Sequence, residues 1–102
     1  MTRWAAIFED DTANDPGGEI RKTQAQAHFA YLAAHRDRIL IGGGLRTAPD
    51  EWYCGGLWVL EVASREEAVA LCEDDPFFRH GLRKSYRLYL WGKAPCYQTV
   101  EL

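Results

Sequence analysis

The chain has 102 residues, 47% of them hydrophobic and 26% charged, with a formal charge of −3. That length holds one hydrophobic core and no second domain, and it buries so modest a share of its surface that a partner subunit would add needed stability. No run of about 18 apolar residues is present to span a bilayer. Twelve Lys and Arg stand against 15 Asp and Glu without a basic stripe, so neither a membrane nor a nucleic acid is expected as a partner.

The opening run Trp4, Ala5, Ala6, Ile7 and Phe8 turns acidic at Glu9, Asp10 and Asp11. It is too short for the apolar core of a secretory signal and no small-residue cleavage pattern follows, so a cytoplasmic location is expected. Cys54, Cys72 and Cys96 are odd in number and lack Cys-x-x-Cys spacing; they read as free thiols, Cys72 lying on the apolar side of a helix.

In chain order, residues 3–9 read as a first strand, followed by a turn-prone stretch through Asn14, Asp15, Pro16, Gly17 and Gly18. Helical spacing then runs from about Ile20 to His35, where Ala25, Phe29, Leu32 and Ala33 recur at three and four residues and Arg21, Lys22 and Gln26 turn outward. His28 lies beside that stripe, one turn before Leu32, on the sheet-facing edge of the helix. Arg38, Ile39, Leu40 and Ile41 form a second strand closed by Gly42, Gly43 and Gly44, and residues 56–62 a third.

Ser64, Arg65, Glu66 and Glu67 make a capping box, with the serine oxygen on the Glu67 amide and the Glu67 carboxylate reaching back to the serine amide. The helix it starts carries Ala68, Val69, Leu71 and Cys72 and ends near Glu73, ahead of Asp75-Pro76. Phe77, Phe78, Arg79 and His80 make one short helical turn stopped by Gly81. Residues 85–91 alternate with period two as a fourth strand, and a tail follows from about residue 92.

The order is β-α-β-β-α-β, the ferredoxin-like α+β pattern: a four-stranded antiparallel sheet with both helices on one face, in a single domain covering residues 1–102. The strands are apolar on both sides, Leu57 and Val59 opposing Trp58, Leu60 and Val62. A sheet with one side in water would alternate apolar and polar instead. A homodimer packed through its sheet faces would cover the second side; the alternative is a monomer whose tail folds back across it.

His28 is the leading candidate for chemistry, because imidazole titrates near neutral pH and nearby loops carry carboxylates; an incidental structural role is the other reading. Asp75 is the second candidate. Its carboxylate has the chemistry to orient an imidazole or take a substrate proton, or simply to cap its turn by accepting the amides of Phe77 or Phe78. His35 and His80 read as structural. The three glycines have the freedom to let a ligand approach the backbone at the end of a strand, but they lack the lysine and the strand–glycine–helix context of a nucleotide site, and tight turning is enough to explain them. Arg46 just beyond is placed to meet an anionic substrate, or is an ordinary surface arginine. Neither His-x-His nor His-x-x-x-His occurs, so no metal site is expected. No nucleophile motif for acyl transfer is found either, which leaves proton transfer.

Taken together, the helix residues Ala27-His28-Phe29-Ala30-Tyr31-Leu32, the run Ile39-Leu40-Ile41-Gly42-Gly43-Gly44, the strand and capping box around residues 56–68, and Asp74-Asp75-Pro76-Phe77-Phe78 with Gly81 resemble the YCII-related (YciI-like) family over nearly the whole chain. The resemblance implies ferredoxin-like subunits paired as a dimeric α+β barrel. It also implies an active site joining His28 to Asp75, in a fold group whose enzymes isomerise, cleave or dehalogenate small oxygenated ring compounds. Residues 11–18 and 50–54 depart from shorter members; there Trp52 and Tyr53 either line a pocket for a flat substrate or shield the dimer edge.

The leading functional expectation is a cofactor-free enzyme in which His28, oriented by Asp75, removes a proton next to a carbonyl in a small-molecule ligand. Phe8, Phe77 and Phe78 would wall its apolar cavity, with Gly44, Arg46, Trp52 and Tyr53 around the substrate. The alternatives are a non-catalytic small-ligand or dimeric interaction domain, and a haem-using or metal-free oxygenase of the same fold group.

Overall fold

The computed structural model describes residues 2–102. Four strands, β1 (Thr2–Asp10), β2 (Ile39–Leu45), β3 (Gly55–Val62) and β4 (Arg83–Leu90), form one antiparallel sheet in the order β2-β3-β1-β4. The helices α1 (Glu19–Ala34) and α2 (Arg65–Asp74) pack on one face, and the single turn α3 (Pro76–Arg79) leads from α2 toward β4. This is the ferredoxin-like arrangement, with a short 3-10 turn at Pro95–Tyr97 in the tail.

Period two builds the core. Trp4, Ala6 and Phe8 on β1 sit opposite Leu60, Trp58 and Gly56 on β3. Ala6, Phe8, Trp58, Leu60 and Val62 are buried beneath the helices together with Ala68, Leu71 and Cys72 of α2. Phe8 meets Trp58 edge-on with ring centroids 4.8 Å apart, a favoured aromatic geometry. Burial pushes the Cys72 thiol up to about 12, with the Asp75 and Glu73 charges acting the same way. Native-state alkylation at neutral pH is therefore expected to modify exposed Cys96 and leave Cys72 untouched, as peptide mass mapping would show.

The capping box forms with one difference from the expectation. Ser64 Oγ accepts the Glu67 amide at 3.2 Å, but the Glu67 carboxylate reaches the Ala63 amide rather than that of Ser64. Further along, Gly81 takes a positive φ of 83° to end α3, a conformation that costs a side-chain-bearing residue more than glycine.

Two expectations fail in instructive ways. Gly42, Gly43 and Gly44 do not close β2; they continue it, paired with Trp58, Leu57 and Gly56. Their missing side chains leave room for rings: a Cβ on Gly42 would lie 3.0 Å from the Trp58 ring, and one on Gly44 2.5 Å from that of Tyr53. Asp10 belongs to β1 and not to the turn, because a register shift between Glu9 and Asp10 sets Asp10 opposite Arg83.

The face of the sheet away from the helices carries Ile7, Ile41, Leu57 and Tyr89, all exposed. The tail reaches part of it, with Trp91 and Leu102 bordering a hollow shared with Ala5, Ile41, Leu57 and Val59. Among the described residues no helix is long and apolar enough to cross a membrane.

Candidate active site

α1 delivers His28. Phe29, expected at the centre of the apolar stripe, is 58% exposed, while His28 is the buried residue of this helix. The helix is thus rolled so that its histidine edge meets the layer formed by β3 and α3, and Phe29 stands at the margin of a cavity. Asp75, at the junction of α2 and α3, is completely buried. The proline that follows holds its residue out of helical geometry, with φ −63° and ψ 136°.

The two side chains meet at 2.6 Å, His28 Nδ1 to Asp75 Oδ1. With the carboxylate ionised, Nδ1–H donates and Nε2 is the nitrogen left to face a ligand. Asp75 makes no side-chain cap to the amides of α3, so the capping alternative is not what the structure contains. Its other oxygen, Oδ2, has no hydrogen-bond partner among the described residues. The carboxylate therefore leans on a single bond to the imidazole. The imidazole lies flat on Phe77, with centroids 3.9 Å apart and planes 12° from parallel.

His28 borders a cavity of about 320 Å³ between α1, β2 and the segment that carries Trp52 and Tyr53, a size suited to one small ring compound. Gly44, Trp52, Tyr53 and Phe77 line it, with Gly42 and Gly43 forming a wall without side chains. Trp52 rests on Gly18, where a Cβ would come within 2.7 Å of its indole nitrogen. Phe8, Arg46 and Phe78 are not part of the lining. Phe8 is buried between Trp58 and Tyr86, Phe78 packs edge-on against Tyr86, and exposed Arg46 bonds the Pro49 carbonyl with its guanidinium 5.3 Å from the centre of the Tyr53 ring.

Three residues beside the site were not legible as such in the sequence. Asp10 Oδ1 accepts from Arg83 Nη1 at 2.7 Å and Oδ2 from Arg21 Nη2 at 2.6 Å. Arg21 does not turn outward as its helical position suggests; it crosses to β1, also meets the Gly55 carbonyl, and lies 5.0 Å from the Phe77 ring. Arg83 lies 5.3 Å from the same ring and 4.6 Å from Phe8. Burial lowers the Arg83 guanidinium from its usual range, Asp10 opposes that shift, and the neighbouring charge of Arg21 adds to it. The Nε atoms of both arginines are buried with no acceptor among the described residues, a situation that costs about 1–3 kcal/mol per donor.

The other histidines stand elsewhere. His35 Nδ1 takes a bond of 2.8 Å from Arg38 Nη2 and packs against Tyr31, and His80 is exposed. Among the described residues no group of three or more His, Cys, Asp or Glu gathers to hold a metal ion.

The fold and site define a small ferredoxin-like domain with a buried imidazole–carboxylate pair at a ring-sized cavity. The chain belongs to the YCII-related domain family, whose model matches residues 3–92. It is similar to 5-chloro-2-hydroxyhydroquinone dehydrochlorinase (TftG) from Burkholderia phenoliruptrix AC1100, solved in complex with 2,5-dihydroxybenzoquinone, at 25% identity and a TM-score of 0.77 over 90% of this chain and 95% of that one. It is also similar to Atu4242 from Agrobacterium tumefaciens, at 12% identity and a TM-score of 0.52 over 93% and 95% of the two chains. No curated protein matches it by sequence.

Proposed function

We propose that this protein is a proton-transfer enzyme acting on a small oxygenated ring compound, of the isomerase or dehydrohalogenase type, and that it works as a homodimer in the cytoplasm. The observation that carries the reading is the 2.6 Å contact between His28 Nδ1 and fully buried Asp75, at a cavity of about 320 Å³ walled by aromatic rings. The likeness to a dehydrochlorinase over 90% of the chain supports it.

His28 Nε2 acts as the base, and the Asp75 carboxylate fixes the tautomer and offsets the charge of the imidazolium that forms. On a halogenated trihydroxybenzene, Nε2 takes a hydroxyl proton, that oxygen becomes a carbonyl, and the imidazolium returns the proton to the carbon bearing the halogen. That carbon is now tetrahedral. A second hydroxyl proton then goes to Nε2, its electron pair moves through the ring, and halide leaves with the carbon–halogen pair to give a hydroxyquinone. The net change is loss of HX, with no oxidant or reductant, and the first half alone is an isomerisation.

Anaerobic incubation with 5-chloro-2-hydroxyhydroquinone tests this, with chloride release as the readout. Enzyme-dependent release that disappears in His28→Gln is expected. Release no faster than in buffer, together with no keto tautomer detectable by NMR, would remove the reading.

The exposed apolar sheet face supports the dimer. Ile7 and Leu57 are direct cross-strand partners on it, each 40% exposed. Sedimentation is expected to give a dimer for the native chain and a folded monomer for Leu57→Glu, since a buried unpaired carboxylate is costly.

A further inference from the structure

The cavity wall carries an unbalanced charge. Arg21, Lys22, His28 and Arg83 line it and no carboxylate does, in a chain whose net charge is −3. Asp10 is the counter-charge behind the two arginines, and it is spent: one oxygen goes to each guanidinium, at 2.7 and 2.6 Å. Neither arginine therefore has the two-pronged carboxylate partner its fork is shaped for.

Both arginines are nonetheless withdrawn from water, with side chains 2% and 11% exposed. One arginine would satisfy Asp10 as a structural pair. The second adds a positive charge that no carboxylate in this wall bonds: buried Asp75 acts on Arg83 through its field alone, its hydrogen bond going to His28, so a bonded anion in the cavity would complete the pairing. Both Nε–H donors lack an acceptor, and both guanidiniums lie beside Phe77, the ring on which His28 is stacked.

We propose that the cavity takes its ring ligand as an anion, Arg21 and Arg83 seating an ionised oxygen while His28 faces another part of the same ring. This rests on the cavity being the substrate site and adds the charge state of the substrate. The same two guanidiniums would hold the negative charge that builds on a ring oxygen as its proton leaves. Asp10 sets the strength of the seat, since its charge cancels one of the two positive ones.

Calorimetric titration of the full chain tests this with two pairs of flat probes. Benzoate against benzamide reports on a ring-borne carboxylate, and 4-nitrophenolate against 4-nitroanisole on an ionised ring oxygen. At least one anion is expected to bind about tenfold or more tightly than its neutral counterpart, and the pair showing the preference names the kind of anion. Arg21→Met, at the more exposed end, is expected to abolish the preference while neutral probes keep their affinity. Asp10→Asn is expected to strengthen anion binding, a direction that mere structural damage would not produce.

Equal affinity within both pairs, absence of binding by every probe, or a preference unchanged in Arg21→Met would overturn the proposal. The preference should also survive in His28→Gln. Charge selectivity without turnover would thus sink the catalytic reading alone, and turnover without charge selectivity would sink this inference alone.

Discussion

His28→Gln is expected to lower turnover of a chlorinated hydroxyhydroquinone by about 10²–10⁴-fold, the span that general acid–base catalysis contributes, with little change in melting temperature. Glutamine keeps an N–H donor within reach of Asp75 Oδ1, so the buried carboxylate is not stranded, but it offers no basic nitrogen to the cavity. Asp75→Asn attacks the same pair from the other side. An asparagine that turns its amide nitrogen toward Nδ1 makes that atom the acceptor and moves the imidazole proton to Nε2. The ring then presents a donor where the reaction needs an acceptor, so a loss of similar size is expected. Steady-state chloride release alongside thermal melting checks both variants. Full activity in either would break the link between this pair and the chemistry.

Phe77→Ala is expected to have the largest effect on stability. The ring is 1% exposed and is shared by the imidazole on one side and two guanidiniums nearby. Losing a fully buried phenylalanine costs about 3–5 kcal/mol. At about 4–8 °C per kcal/mol for a domain of this size, that is a fall in melting temperature of more than about 10 °C. Phe77→Leu fills most of the space but removes the flat surface. It should therefore keep most of the stability and still impair turnover, by letting the imidazole tilt away from its bond to Asp75. Denaturant titration separates the two variants, and an unchanged unfolding midpoint for Phe77→Ala would show that the ring is not the support described.

Much of the fold was legible because periodicity reports directly on burial. The alternation through Trp58, Leu60 and Val62 and the three- and four-residue spacing of Ala25, Phe29 and Leu32 placed every main element in order. The helix roll was not legible, since apolar spacing put Phe29 at the centre of the stripe where the structure puts His28. A histidine that pairs with a buried carboxylate competes with a phenylalanine for the inner position, and only the location of Asp75, 47 residues away in the chain, decides between them. Family resemblance, not spacing, joined that pair.

The arginines escaped for a related reason. Arg21 reads as turned outward from its helix, Asp10 as the start of an acidic turn, and Arg83 carries no signal ahead of the fourth strand; their burial exists only as a cluster. Three consecutive glycines read as a turn because nothing local reveals that the rings of Trp58 and Tyr53 lie against them. The aromatic residues near Asp75 pointed to an aromatic-walled pocket, but the side that Phe8 and Phe78 face follows from the packing of Tyr86, which no local pattern contains.

Imidazole nitrogen NMR of the resting protein tests the central claim most directly. At the pH where turnover is observed, His28 should show a proton on Nδ1 held in a strong hydrogen bond and a bare Nε2, with that Nδ1 signal lost in Asp75→Asn. A proton on Nε2 with Nδ1 bare would contradict the account, because the nitrogen facing the ligand would then have no lone pair with which to begin the reaction.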